Sequence, residues 1–207
     1  FPTETRVGQP IGGFYLYRTD GIFQNMNEVN AHTNSNGGLI QPNAQPGDIR
    51  FKDLNGDGKI SDADKEYCGS GIPSLEANFN LSASYKGFDF SAVIGSAWNY
   101  KLYNGNKYFY EGMNSKSNML KSTLDAWTPQ NTNTNVPRAV YQDPNGNMKE
   151  SDRFLENGDF VRLRQVQLGY TLPKSLLQSM HIDKLRFYVS GENLFTITGY
   201  DGIDPEF

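Results

Sequence analysis

The chain has 207 residues and a net charge of −4, with 19 Lys and Arg against 23 Asp and Glu, a balance that argues against a nucleic-acid binder and its basic stripe. Hydrophobic residues make up only 37%, while 21 Gly, 13 Phe and 12 Tyr stand among Asn-rich runs, a composition that suits strands and polar loops better than helices. Cys68 is the only cysteine, so no internal disulfide can form. No run of about 18 apolar residues exists, which excludes a transmembrane helix but not a β-barrel.

The chain starts at Phe1 with neither an initiator Met nor a signal sequence, and is expected to be processed or a piece of a longer polypeptide. The first predicted element is a strand over "GGFYLYRTDGIFQ" (12–24), and "GDIRF" (47–51) is also strand-like. Between the latter and the next strand lies "DLNGDGKISDAD" (53–64). Asp53, Asn55 and Asp57 occupy positions 1, 3 and 5 of a calcium-type loop, and Gly58 takes the sharp turn at position 6. Lys59 at position 7 offers its backbone carbonyl, Ser61 at position 9 can act through water, and Asp64 fills position 12. Oxygen donors at every second residue let a short chain wrap one hard cation, so a structural Ca²⁺ is expected; the bland alternative is an Asx- and Gly-rich turn without metal. Asp rather than Glu at position 12 resembles the dockerin variant. Dockerins and EF-hands need flanking helices, however, and Gly69, Gly71 and Pro73 would end any helix here within about two turns.

Residues 75–85, "LEANFNLSASY", alternate fully. Leu75, Ala77, Phe79, Leu81, Ala83 and Tyr85 make one face, and Glu76, Asn78, Asn80, Ser82 and Ser84 the other. Lys86-Gly87 reads as a two-residue turn. In "FDFSAVIGSAWNY" (88–100), Phe88, Phe90, Ala92, Ile94, Trp98 and Tyr100 line one face, against the small or polar Asp89, Ser91, Gly95, Ala97 and Asn99. A two-residue hairpin sets Tyr85 opposite Phe88 and makes the apolar faces coincide. Ten steps from Phe88 to Trp98 run about 33 Å. Tilted by about 40°, that is about 25 Å, the height of the apolar band of an outer-membrane barrel. A soluble β-sandwich with unusually long strands is the competing fold.

Residues 158–172 predict a strand whose parity slips between Leu163 and Val166, as at a bulge. "PKSLLQSMHI" (173–182) predicts a short helix with Pro173 at its first position. "DKLRFYVSGENLFTITGY" (183–200) predicts another long strand. By parity the connections at 86–87 and 173–182 share one rim, and the long polar stretches 45–74 and 101–157 lie on the other. Short turns on one rim and long loops on the other form the outer-membrane arrangement. The expected fold is therefore all-β: a partial antiparallel transmembrane β-barrel with long extracellular loops. It divides into a calcium-type extracellular loop (45–74), a transmembrane hairpin (75–100), a long extracellular loop (101–157), and two transmembrane strands joined by a short periplasmic helical turn (158–200).

His32 and His181 have no metal or triad partner pattern, "GSGIPS" (69–74) lacks the strand and helix of a phosphate-binding turn, and no catalytic pair stands out among the carboxylates. No enzyme is expected. Tyr103, Tyr108 and Tyr110 in "KLYNGNKYFYEG" (101–112) are candidates for stacking on sugars, though packing or an aromatic girdle is the commoner role of such residues.

Five blocks resemble the C-terminal barrel of the SusC/RagA family of TonB-dependent outer-membrane transporters: "GQPIGGFYLYRTDGIFQ" (8–24), "GDIRFKDLNGDGKISDAD" (47–64), "AWTPQNTNTNVPRA" (126–139), "DRFLENGDFVRLRQVQLGYTLP" (152–173) and "LRFYVSGENLFTITGYDGIDPEF" (185–207). The resemblance implies the C-terminal part of a 22-strand barrel with an N-terminal plug, a SusD-like lipoprotein over the exterior loops, and TonB-driven uptake of oligosaccharides or peptides. It implies that Asp53, Asn55, Asp57, Lys59 and Asp64 form a loop outside the wall. It further implies a location in the outer membrane of a Gram-negative bacterium, with lipid against the strands and no role for nucleic acid. A few strands alone cannot close in lipid, so the chain is expected to be a fragment. The alternatives are a soluble, calcium-stabilised cell-surface domain that binds glycans, and a piece of a secreted hydrolase.

Overall fold

The computed structural model describes residues 2–113, 118–178 and 181–206. In chain order the strands and α-helices are β1 (Thr3–Glu4), β2 (Gly13–Tyr17), β3 (Thr19–Ile22), α1 (Met26–Ala31), β4 (Ile49–Phe51), β5 (Lys65–Gly69), β6 (Leu75–Tyr85) and β7 (Phe88–Trp98). They continue with β8 (Lys101–Tyr103), α2 (Gly105–Tyr110), β9 (Leu155–Asn157), β10 (Phe160–Thr171), α3 (Lys174–Leu177) and β11 (Arg186–Thr198). Among the described residues no helix is long and apolar enough to cross a membrane, which says nothing of a β-barrel. The chain divides into two compact units, one of residues 1–71, 101–156 and 201–203, the other of residues 72–100, 157–200 and 204–207.

The second unit is a four-stranded antiparallel sheet in the order β11-β10-β7-β6. Tyr85 pairs with Phe88 and Leu75 with Trp98, the register set by a two-residue turn in which Lys86 (φ 47°) and Gly87 (φ 88°) are both left-handed. That is the twist-matched hairpin turn, and Gly adopts it without a Cβ penalty. Strand β7 stops at Trp98, short of the expected Tyr100, because left-handed Asn99 (φ 58°) turns the chain. The pairing of β10 with both neighbours shifts between Leu163 and Gln165, where the parity of the sequence slips. The Thr171 N–H donates to the Gly87 carbonyl at 2.7 Å, so the β6–β7 turn and the end of β10 share one edge, as the strand parity requires. The helix beyond is shorter than expected. Pro173 is its N-cap rather than its first residue, and residues 179–180 of the expected helix lie outside the described residues.

Directly paired residues share a face in an antiparallel sheet. Leu75, Phe79, Leu81, Phe88, Leu168, Phe187, Val189, Phe195 and Ile197 thus crowd one side, each largely exposed, with Phe79 at 60% and Val189 at 68%. Among the described residues no second sheet covers Phe79, and Phe90 and Ile94 are only partly buried. So large an uncovered apolar surface marks a lipid or partner interface rather than a soluble surface. The opposite face carries Glu76, Asn78, Asn80, Ser82, Asp89, Arg162, Gln165, Gln167, Ser190 and Arg186.

The first unit joins the expected calcium loop and the expected 101–157 loop to the N-terminal residues in one body. The single strand expected at 12–24 is two. β2 pairs with β1 and β5, β3 pairs with β4, and the change of partner falls at Arg18. The Tyr17 N–H turns to the Glu150 carbonyl instead, and Phe14, Tyr15, Leu16 and Tyr17 are all buried. Two small apolar clusters form, Tyr17, Ile49 and Phe51 with Ile60, and Phe23 with Val29 and Ala44. Side chains replace a partner along part of β4. The Gln41 amide bonds the Ile49 carbonyl and the Phe51 N–H, Asn145 bonds the Ile49 carbonyl, and Asn147 accepts the Ile49 N–H. Asp48 beside it is fully buried, held by Arg138 through two bonds of 2.7 and 3.1 Å and by Asn147. These residues lie some ninety positions apart, and no local pattern announces them.

Candidate metal loop and aromatic cluster

Strand β4 leads into the Asp53–Asp64 loop, and a single 3-10 turn, Asp62–Asp64, leads out into β5. Short side chains fold the loop on itself. The Asp53 carboxylate accepts the N–H groups of Gly56 at 2.7 Å and Gly58 at 2.8 Å. Asn55 Oδ1 accepts from the Asp57 N–H and Asp57 Oδ1 from the Lys59 N–H. These Asx turns let a backbone reverse direction several times in a few residues. Gly58 is left-handed (φ 86°), and a Cβ there would strike the Asn34 side chain, so the predicted glycine is required twice over.

Asp64 is the buried anchor. Its Oδ1 accepts the N–H groups of Leu54 (2.9 Å) and Asn55 (3.2 Å), and its Oδ2 accepts the Ser61 N–H (2.7 Å) in a capping box. Burial alone would raise this carboxyl, but the N–H groups of Ser61, Asn55 and Leu54 outweigh it and hold Asp64 below its ordinary range. Position 12 thus fastens the end of the loop back onto its start.

One carboxylate oxygen from each of Asp53, Asp57 and Asp64 lies within 4.8 Å of the others. Among the described residues no Lys or Arg pairs with any of the three; Lys65 goes to Asp62 (3.0 Å) and Glu150 (3.4 Å) instead. Three converging carboxylates without a counter-charge form a donor set suited to a hard divalent cation. Asn55 and Lys59 lie within the same turn-rich loop, where the Asn55 Oδ1 accepts the Asp57 N–H and the Lys59 N–H donates to Asp57.

The expected sugar-stacking residues part company. Tyr103 and Tyr108 are half-buried in an aromatic cluster, Tyr103 with Phe14, Tyr108 and Phe154 at centroid separations of 6.0 to 6.5 Å, and Tyr108 with Phe154 at 5.2 Å. Aromatic edges and faces satisfy each other here, so neither ring presents a free platform. The Tyr103 hydroxyl is buried with no hydrogen-bond partner among the described residues. Only Tyr110 is exposed. It borders a groove of about 530 Å³ with Asn106, Lys107, Ser122, Asp201 and Ile203. Sequence reading missed Glu111, which is buried under α2 and paired with Arg153.

No protein-family model matches the chain. It is 35% identical over 206 residues to TonB-dependent receptor P3 of Formosa agariphila, an alignment covering 97% of this chain and 19% of that receptor. With TonB-dependent receptor SusC of Bacteroides thetaiotaomicron it shares 27% identity over 203 residues, 97% of this chain and 18% of SusC. Among solved structures, the RagAB peptide transporter superposes with a TM-score of 0.74 at 27% identity, over 99% of this chain and 21% of that one. The chain thus spans about a fifth of the length of the proteins it matches. All three are receptors or transporters rather than enzymes, and the open sheet corresponds to part of a barrel wall.

Proposed function

This chain belongs to the SusC/RagA-type TonB-dependent receptors of the outer membrane, and from that premise we propose that it supplies wall and exterior structure to an importer of nutrients. The observation that carries this reading is the β6-β7-β10-β11 sheet, whose strands of 11 to 13 residues bear large exposed side chains on one face and polar ones on the other. Lipid-facing and lumen-facing residues alternate in this way in a transmembrane barrel. Among the described residues β6 and β11 are edge strands, and such edges call for neighbouring strands, since an open edge cannot sit in hydrocarbon.

On this reading the first unit faces the cell exterior, a SusD-like lipoprotein closes over it, and the TonB complex drives uptake from the other side. The cargo is an oligosaccharide or a peptide, and the likeness to a peptide transporter supports the second class. The Asp53–Asp64 loop holds a structural Ca²⁺ through Asp53, Asn55, Asp57, the Lys59 carbonyl and Asp64, bracing the exterior unit without chemistry on the cargo. Fractionation tests the reading. The native protein should sediment with outer membranes and come off only in detergent; recovery as a soluble, folded monomer would overturn it.

A further inference from the structure

Arg162 lies just before the β10 bulge on the polar face of the sheet, Arg164 is the unpaired residue within it, and the chain folds its own carboxylates onto both. Arg162 is 8% exposed; its guanidinium donates to Thr196 Oγ1 (2.8 Å), Glu206 (2.7 Å) and Asp204 (2.5 Å). Arg164 donates to the other Glu206 oxygen at 2.6 Å. The short strap between the two acids is pinned at its middle, where the Tyr100 hydroxyl donates to the Pro205 carbonyl at 2.6 Å. Gly95 makes room, since a Cβ there would collide with the Arg164 guanidinium. Two convergent guanidiniums, one buried and one partly exposed, make the geometry that recognises paired carboxylates.

We propose that Arg162 and Arg164 form a carboxylate-receptor site, which the chain keeps filled with Asp204 and Glu206, and that an acidic peptide carrying two carboxylates at this spacing displaces the strap. Lifting the strap with nothing in its place would strand a buried guanidinium, a costly state. Exchange for another pair of carboxylates avoids that cost, so opening is coupled to ligand. The outer half of the clamp is within reach, because the Arg164 and Glu206 side chains are 42% and 35% exposed. In a closed barrel the polar face is the lumenal one, along which an imported peptide passes. This inference rests on the importer reading and adds a cargo chemistry to it.

The test uses the intact receptor in detergent, with acetyl-Asp-Pro-Glu-amide as probe in titration calorimetry. Neutralising the strap with D204N and E206Q together should tighten probe binding by about tenfold or more, since the competing occupant is weakened. R162Q with R164Q should abolish binding. Equal binding by the native and D204N/E206Q receptors would overturn the proposal, as would stronger binding of an oligogalacturonate than of the peptide. Should the variants fold poorly, hydrogen exchange on the native receptor decides. The Glu206 amide, bonded to Asp204 at 2.9 Å, should exchange faster with saturating probe, and unchanged protection would overturn the strap exchange. Binding is read without transport, so failure here leaves the importer reading standing, whereas failed membrane fractionation would strike the importer reading and, with it, the cargo role assigned to this site.

Discussion

Arg186 of β11 reaches across β10 to hold Asp89 of β7 through two hydrogen bonds, of 2.9 Å and 2.5 Å, and it passes over Gly169, which has no side chain to block it. A Cβ at Gly169 would fall on the Arg186 guanidinium and 2.6 Å from both Asp89 oxygens. Three strands are thus tied together on the polar face at the edge bearing the short turn.

Gly169→Val should separate this pair and lower barrel stability, by the steric clash as well as by loss of the ion pair. Asp89→Asn alone should cost less. The temperature at which the detergent-solubilised receptor loses its compact electrophoretic form measures both, and a Gly169→Val receptor as heat-resistant as the native one would contradict the arrangement.

Calcium should stabilise the exterior unit. At about a hundred times its dissociation constant, the ion adds roughly 2.7 kcal/mol by linkage. Thermal unfolding should shift downward in chelator and recover with added Ca²⁺ in the native receptor. In Asp57→Ala, which removes one of three converging carboxylates, the curve should be the same with and without the ion.

Arg138→Met should be among the most damaging single changes in the first unit. It leaves the fully buried Asp48 without its two-bond partner, and stranding a buried charge costs about 3–5 kcal/mol. Changing Asp48→Asn in the same molecule should recover part of the loss, which a double-mutant cycle of unfolding midpoints will read.

Alkaline pH should loosen the same unit. Burial raises the phenols of Tyr17, Tyr103 and Tyr108, and for Tyr17 the bond to Asp62 adds to the effect. A group whose folded pKa lies above its unfolded value of about 10 contributes stability that is intact below pH 10 and lost as pH rises through the folded value. Melting temperature should therefore fall above about pH 10 while tyrosinate absorbance rises. Tyr103→Phe removes a buried hydroxyl that has no hydrogen-bond partner among the described residues, so it should be neutral or stabilising by about 1 kcal/mol and should blunt the alkaline loss.

Sequence alone determined the β6–β7 hairpin, its register and the β10 bulge. One face of those strands meets hydrocarbon and the other water, so a period of two is written into every residue and a single slip shows. It also determined the turn-rich course of the Asp53–Asp64 loop, because the side chains that make its Asx turns sit within twelve consecutive positions and those turns are local. Only the tertiary structure decided that the stretch at 12–24 breaks in two at Arg18, that Tyr103 and Tyr108 turn inward, and that Gln41, Asn145 and Asn147 stand in for a strand beside β4. The same holds for Arg186 over Gly169, and for Asp204 and Glu206 on the β10 arginines. Each of those outcomes depends on partners far apart in the chain, whose meeting is set by packing and by the need to satisfy buried polar groups, neither of which leaves a periodic trace.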